Sequence, residues 1–385
     1  MANLRVIVIS SIRPEPTSGG QIVLHRHLVG VPGIEVEVFG YEPTQLSFSS
    51  LLRRLAGRLN STRFHRLGQD FWALWAGKWL DPLLPRRVVN DGKTVVLTVA
   101  QGDACMAALR FARKHNLPLV TFFHDWWPDM PMVHRPFQRR LENDFQRLYQ
   151  SSNVALCVSE GMKAALGEHA NAPVLYPISN SSRISENASA LASPAARPLK
   201  VYYSGNLFEY GPMLGEALTL LQNQKEIRLE VRGANPRWPV ELKEAMQEQG
   251  FWRDFVPRSE LNQWLLSADV FLTAMVFDPK MQRRMATSFP SKLIEYAQLG
   301  KPLVIWGPED CSAIRWAQQG KYALCVTDPN PVALCKALEN LARSQEEQKR
   351  LAAAAHHAAQ TEFNPNSIQA QFMEVLQQVT AEKEN

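Results

Sequence analysis

A chain of 385 residues exceeds the roughly 250–300 residues that one hydrophobic core supports, so two domains are expected. Its 45% hydrophobic content is that of a soluble globular protein, and no run approaches the ~18 apolar residues of a membrane-spanning helix. The net charge of +5 is mild and comes with no nucleic-acid-binding motif, so nucleic acid is not an expected partner.

The opening MANLRVIVISSIRP has too short an apolar core for a signal peptide. It reads as a strand at 5–10, a continuous apolar run of the kind found in parallel strands buried on both faces. The loop SIRPEPTSGG then ends in Gly19-Gly20 and feeds the helix pattern QIVLHRHLVG. Strand, glycine pair and helix let an anion approach the backbone closely, although turn-making alone also accounts for the pair. A second strand is expected at 36–39. In residues 51–87, Arg53, Arg54, Arg58, Arg63, Arg66, Lys78, Arg86 and Arg87 stand against only Asp70 and Asp81. Leu51, Phe64, Phe71, Trp72, Trp75 and Trp79 are interleaved with them. This segment suits an anionic membrane surface, or a helical core face with a solvated basic side.

Alternation resumes with a strand at 94–99, a helix at 103–114 and a strand at 118–123. That strand runs into His124 and Asp125, just past a carboxyl end, where open parallel sheets present ligand-facing residues. A loop histidine and a capping aspartate are the plain alternative. A helix at 137–149 and a strand at 154–158 lead to Ser159-Glu160-Gly161-Met162, with Ser159 or Glu160 at a helix start. Residues 180–198, rich in Ser, Ala and Pro, read as a linker. They divide the chain into 1–182, 199–365 and a terminal helix at 366–385.

Beyond the linker come a strand at 199–204, a tight turn at Gly205-Asn206 and a helix at 212–221. Strands follow at 227–231 and 251–256. Arg283 and Arg284 are placed in a loop, and next comes TSFPSKLIEYAQLGKPLV at 287–304. In that stretch Pro290 fits a first helical turn, Ser288 or Ser291 can cap it, and Gly300 ends the helix. Such an N-terminus suits a phosphate. Lys292 and Glu295 share one face: the first offers the phosphates a point charge, the second accepts from both hydroxyls of a ribose. A solvent-exposed ion pair has the same spacing. Further strands are expected at 303–305 and 323–326, and helices at 351–359 and 368–379.

The run FPSKLIEY…GKPLVIWG resembles the donor-binding segment of retaining glycosyltransferases of the GT-B architecture, close to family 4. The resemblance implies two Rossmann-like doubly wound α/β domains with an interdomain cleft, an acceptor-binding first domain and a nucleotide-sugar-binding second one. It implies a terminal helix that crosses back onto the first domain. Glu295 matches the second of two family glutamates; the first falls on Thr287, as in a related subgroup with a P-S-K-L-x-E-Y pattern. By resemblance, the Gly19-Gly20 turn and the Ser159-Glu160 turn line the cleft, and His124 contacts the transferred sugar. The nucleobase rests on backbone near Val256 and Pro257. A Lys-Gly pair that holds the diphosphate in the family is Tyr210-Gly211 here. Lys292, backbone amides and Arg283 or Arg284 are left to neutralise it.

The expected activity is sugar transfer from a nucleoside-diphosphate sugar to a saccharide or lipid-linked acceptor, with retention and with no cofactor or obligatory metal. A nucleotide-sugar epimerase on the same scaffold and a catalytically degenerate binding protein are the alternatives. No Gly-x-Gly-x-x-Gly follows the first strand, and no P-loop, G-x-S-x-G elbow or H-E-x-x-H occurs, which argues against dehydrogenase, kinase, hydrolase and metalloprotease. Five scattered cysteines without a Cys-x-x-Cys pair suggest a reducing compartment. The expected location is cytoplasmic, with a peripheral place at the inner membrane face open.

Overall fold

The computed structural model describes residues 4–17, 19–40, 57–59, 62–88, 91–179, 198–254 and 257–381. Val256, nearly all of the 180–198 linker, and residues 51–56 and 60–61 of the basic segment lie outside them. Two compact units emerge: Met1–Ile178 with Ile368–Asn385, and Ser179–Ser367.

Unit one runs β1 (Leu4–Ile9), α1 (Gly19–Leu28), β2 (Ile34–Phe39), α2 (His65–Trp75), β3 (Thr94–Val99), α3 (Ala104–Lys114), β4 (Leu119–Phe123), α4 (Arg135–Ser151), β5 (Val154–Cys157) and α5 (Glu160–Leu166). Unit two runs β6 (Leu199–Ser204), α6 (Gly211–Leu221), β7 (Ile227–Arg232), α7 (Val240–Glu248), β8 (Trp252–Arg253), α8 (Arg258–Leu266) and β9 (Val270–Ala274). It continues with α9 (Gln282–Thr287), α10 (Ser291–Ala297), β10 (Leu303–Trp306), α11 (Ser312–Gly320), β11 (Leu324–Val326), α12 (Pro331–Arg343) and α13 (Gln345–Gln360). The last helix, α14 (Pro365–Ala381), belongs to unit one from Ile368 onward.

Both sheets are parallel, which explains why TVVLTV of β3 and LVTFF of β4 are buried at every position. In the first sheet the order is β2-β1-β3-β4-β5, so the winding reverses between β1 and β3. The second is β11-β10-β9-β6-β7-β8, reversing between β6 and β9. These are the two common doubly wound orders, and each places a ligand crevice outside the carboxyl ends of the strands at its reversal.

Period-2 alternation divides the core of unit one. Ile7 and Ile9 face one apolar layer with Trp79, Phe111, Phe145 and Tyr149. Val6 and Val8 face the other with Leu24, Leu28, Phe372 and Leu376, so α14 completes this second layer. The tryptophan-rich segment proves to be divided. Ala73, Ala76, Trp79 and Leu80 are core, while Phe64, Leu67 and Leu74 are 46%, 53% and 51% exposed. Polar ties fix α2 in place: Asp70 accepts from the His134 amide at 2.9 Å, and Arg140 Nε donates to the Ala73 carbonyl at 3.1 Å.

Three local expectations are corrected. Gly19 and Gly20 are the first residues of α1 rather than a turn before it. Arg283 and Arg284 lie in α9, not a loop, because an Asp278-capped turn feeds a run of good helix formers. Of the strand expected at 251–256, β8 forms over Trp252–Arg253.

Candidate active site

The first cluster gathers at the reversal in unit two. The Lys292 amine donates to the Ser204 carbonyl at the end of β6. It lies 5.9 Å from the Tyr203 ring centroid and directly against Gly205. A Cβ on Gly205 would collide with Nζ, so the missing side chain is what admits the amine. Two positions that the sequence singled out 87 residues apart thus meet at one strand end. Burial pushes the amine down from 10.5 to about 8, with Glu295 partly opposing the shift. Glu295 is itself half-buried, on the same helix as Lys292.

Sequence reasoning missed the groups that hold this arrangement. The Tyr296 hydroxyl accepts from the Ser204 amide at 2.8 Å and lies 3.1 Å from the Ser204 hydroxyl. Its ring stacks on Phe271 with centroids 4.4 Å apart. Because Tyr296 is four residues after Lys292, one helical face delivers both to the end of β6; that spacing was the available signal. Asn206 is exposed, and its side chain accepts from the Phe208 amide at 3.1 Å to shape the turn. Arg284 pairs with Glu209 at 2.5 Å, tying α9 to the GNLFEYG loop, while Arg283 is exposed on α9.

The capping expectation is corrected as well. Pro290 is the N-cap of α10, with no side-chain cap, and Ser291 is exposed at the first helical position. Ser288 ends α9 instead, where its amide donates to the Arg284 carbonyl at 2.9 Å and its own carbonyl accepts from Ser312. Thr287 is buried, its hydroxyl donating to the Arg283 carbonyl at 2.9 Å. Pro257 is exposed as the N-cap of α8.

The second cluster lies in unit one, beyond β1 and β4. His124 is half-buried with its ring 5.3 Å from Phe122. A Cβ on Gly20 would meet His124 Nδ1 at 3.7 Å, so the glycine pair and the histidine are neighbours, Gly19 standing exposed in open space. Burial lowers the imidazole to about 4 and Asp125 opposes the shift, so the ring is neutral at pH 7. Ser159 is buried as the N-cap of α5, accepting from the Met162 amide at 2.9 Å, and Glu160 beside it is exposed. Among the described residues no group of three His, Cys, Asp or Glu side chains is arranged to hold a metal ion, and no helix is long and apolar enough to cross a membrane.

Comparison with known families matches residues 22–180 to Glycosyltransferase Family 4 and residues 199–344 to Glycosyl transferases group 1. No curated protein matches the sequence. Among solved structures the chain is similar to a glycosyltransferase from Rickettsia africae, at 14% identity over 98% of each chain with a TM-score of 0.64. It is similar to Anabaena HepE in complex with UDP, at 15% identity over 97% of this chain and 99% of that one, with a TM-score of 0.62. A UDP-forming trehalose-phosphate synthase from Burkholderia xenovorans in complex with glucose-6-phosphate matches at 14% identity over 97% and 100%, with a TM-score of 0.60. With the two family matches spanning most of both units, the chain belongs to the GT-B glycosyltransferases, enzymes that move a sugar from a nucleotide sugar to an acceptor.

Proposed function

We propose that this glycosyltransferase takes a hexose from a uridine-diphosphate sugar and transfers it, with retention, to the hydroxyl of a saccharide or lipid-linked acceptor. The observation that carries the reading is the Lys292 amine held at the carboxyl end of β6 against Gly205. Stabilising the departing diphosphate is the main electrostatic task in such a transfer. A cation at the strand reversal meets it without a metal. Glu295, three residues further along α10, is assigned to the ribose hydroxyls. The neutral imidazole of His124 is assigned to a hydroxyl of the transferred sugar, and Asp125 to the same sugar or to the acceptor.

The choice of uridine rests on neighbours of similar fold, of which HepE is in complex with UDP and the Burkholderia synthase is UDP-forming. Exposed Phe64, Leu67 and Leu74, with exposed Arg63 and Arg66 on the same stretch, support contact with an anionic membrane surface. The free cysteines support a reducing, cytoplasmic setting. Lys292→Ala tests the central assignment. It is expected to slow release of UDP from UDP-glucose by about 10²–10³-fold, the usual cost of removing one group that stabilises developing charge. Near-normal turnover would remove Lys292 from the mechanism.

A further inference from the structure

Unit one contains a cavity of about 430 Å³ that no part of the donor chemistry uses. Two of its walls are Ser11 and Gly102, which follow β1 and β3, so it opens at the winding reversal of the first sheet. The remaining wall is mostly apolar, with Trp72 from α2, Met106 from α3, Trp127 from beyond β4 and Phe145 from α4. Aromatic and thioether side chains of this kind suit a flexible hydrocarbon. Polar side chains are a minority of the lining (Ser11, Gln69, Asp103 and Asp144), and Asp103 already accepts from the Trp79 indole, so an apolar group fits most of this wall better than a sugar ring does. The Asp144 carboxyl in the wall pairs with Arg140 at 3.8 Å, and burial still pushes it above its ordinary range.

Two connections suggest what enters. The Trp127 amide donates to the Asp125 carbonyl at 2.8 Å, so the segment that carries His124 and Asp125 continues directly into the cavity wall. Helix α2 lines the cavity with Trp72 and Ala73 and also presents Leu67 and Leu74 to solvent, linking the cavity to an exposed apolar surface.

We propose that this cavity seats the hydrocarbon group of an amphiphilic acceptor, leaving the hydroxyl-bearing head outside beside the His124 loop; the acceptor role rests on the transfer reading above. Octyl, nonyl and decyl glucosides, titrated below their micelle concentrations and followed by tryptophan fluorescence, test it, with glucose as the control. One saturable site is expected, tightening roughly fourfold per added methylene, with glucose silent. Filling the cavity with Ala73→Phe should abolish the response. A glucoside with a brominated chain supplies a second readout in the unaltered fold: it should quench tryptophan emission, and Trp72→Phe, which keeps an apolar ring, should lose that share of the quenching. Affinity independent of chain length, or quenching unchanged in Trp72→Phe, would overturn the assignment. A UDP-induced rise in melting temperature, measured in parallel, separates the two claims. A rise without chain-dependent binding overturns the cavity assignment alone, whereas chain-dependent binding without a rise leaves the hydrocarbon seat standing and removes its role as an acceptor site.

Discussion

At the scale of single residues, the account depends on a lysine whose charge is marginal. An amine buried against Ser204 and Tyr203 titrates at about 8 rather than 10.5. Between those values the unfolded chain holds a proton that the folded chain gives up, so Lys292 costs stability below pH 8 and the cost fades as pH rises towards 10.5. A diphosphate binds the protonated form, and the sign for binding is therefore opposite. Affinity for UDP is expected to weaken above pH 8, approaching tenfold per pH unit. Titration calorimetry from pH 7 to 9.5 measures this, with Lys292→Ala expected to show no such limb. A wild-type affinity that stays level across the range would contradict the assignment. His124 behaves differently: neutral from well below pH 6 upward, it contributes no limb in this window.

At the scale of elements, α14 shows what packing adds to pattern. Its apolar residues Ile368, Phe372, Val375, Leu376 and Val379 were visible as a helical face, but their periodicity did not say which core receives them, and only the family resemblance implied the first domain. Contacts decide it: Phe372 is 0% exposed, with its ring 5.8 Å from Phe122 and 4.8 Å from the buried His27. Gln369 adds a hydrogen bond from its side-chain amide to the His27 carbonyl at 3.1 Å. Phe372→Ala is expected to cost unit one about 3–5 kcal/mol, read by hydrogen exchange of β1 and β3 amides. A loss below about 1 kcal/mol would show that α14 is not part of that core.

The same comparison explains which parts of the site were legible. Lys292, Glu295, Gly205 and His124 could be put forward as candidates because they follow strands or share a helix face, and a strand end can be located from its apolar run. The capping serines misled because Ser288 terminates α9, an element whose two arginines read equally well as loop. Tyr296 and Ser204 were silent because a tyrosine on an apolar face normally signals core, and this one is core on its ring while its hydroxyl holds the end of β6 through Ser204. The cavity was beyond reach, since its wall comes from three helices and three strand ends distant in sequence.

At the scale of the whole molecule, each unit has its own sheet, its own winding reversal and its own cluster of polar groups just past the strand ends. The donor chemistry is assigned to unit two and the acceptor chemistry to unit one. The most direct test of the central claim is a melting-temperature panel of UDP, GDP and ADP on the intact chain, because a ligand that binds only the native state raises its stability. The account expects a selective rise with UDP, equivalent to about 2.7 kcal/mol at a hundredfold excess over Kd, and a much smaller one in Lys292→Ala. The absence of a rise with any of the three at millimolar concentration would contradict it.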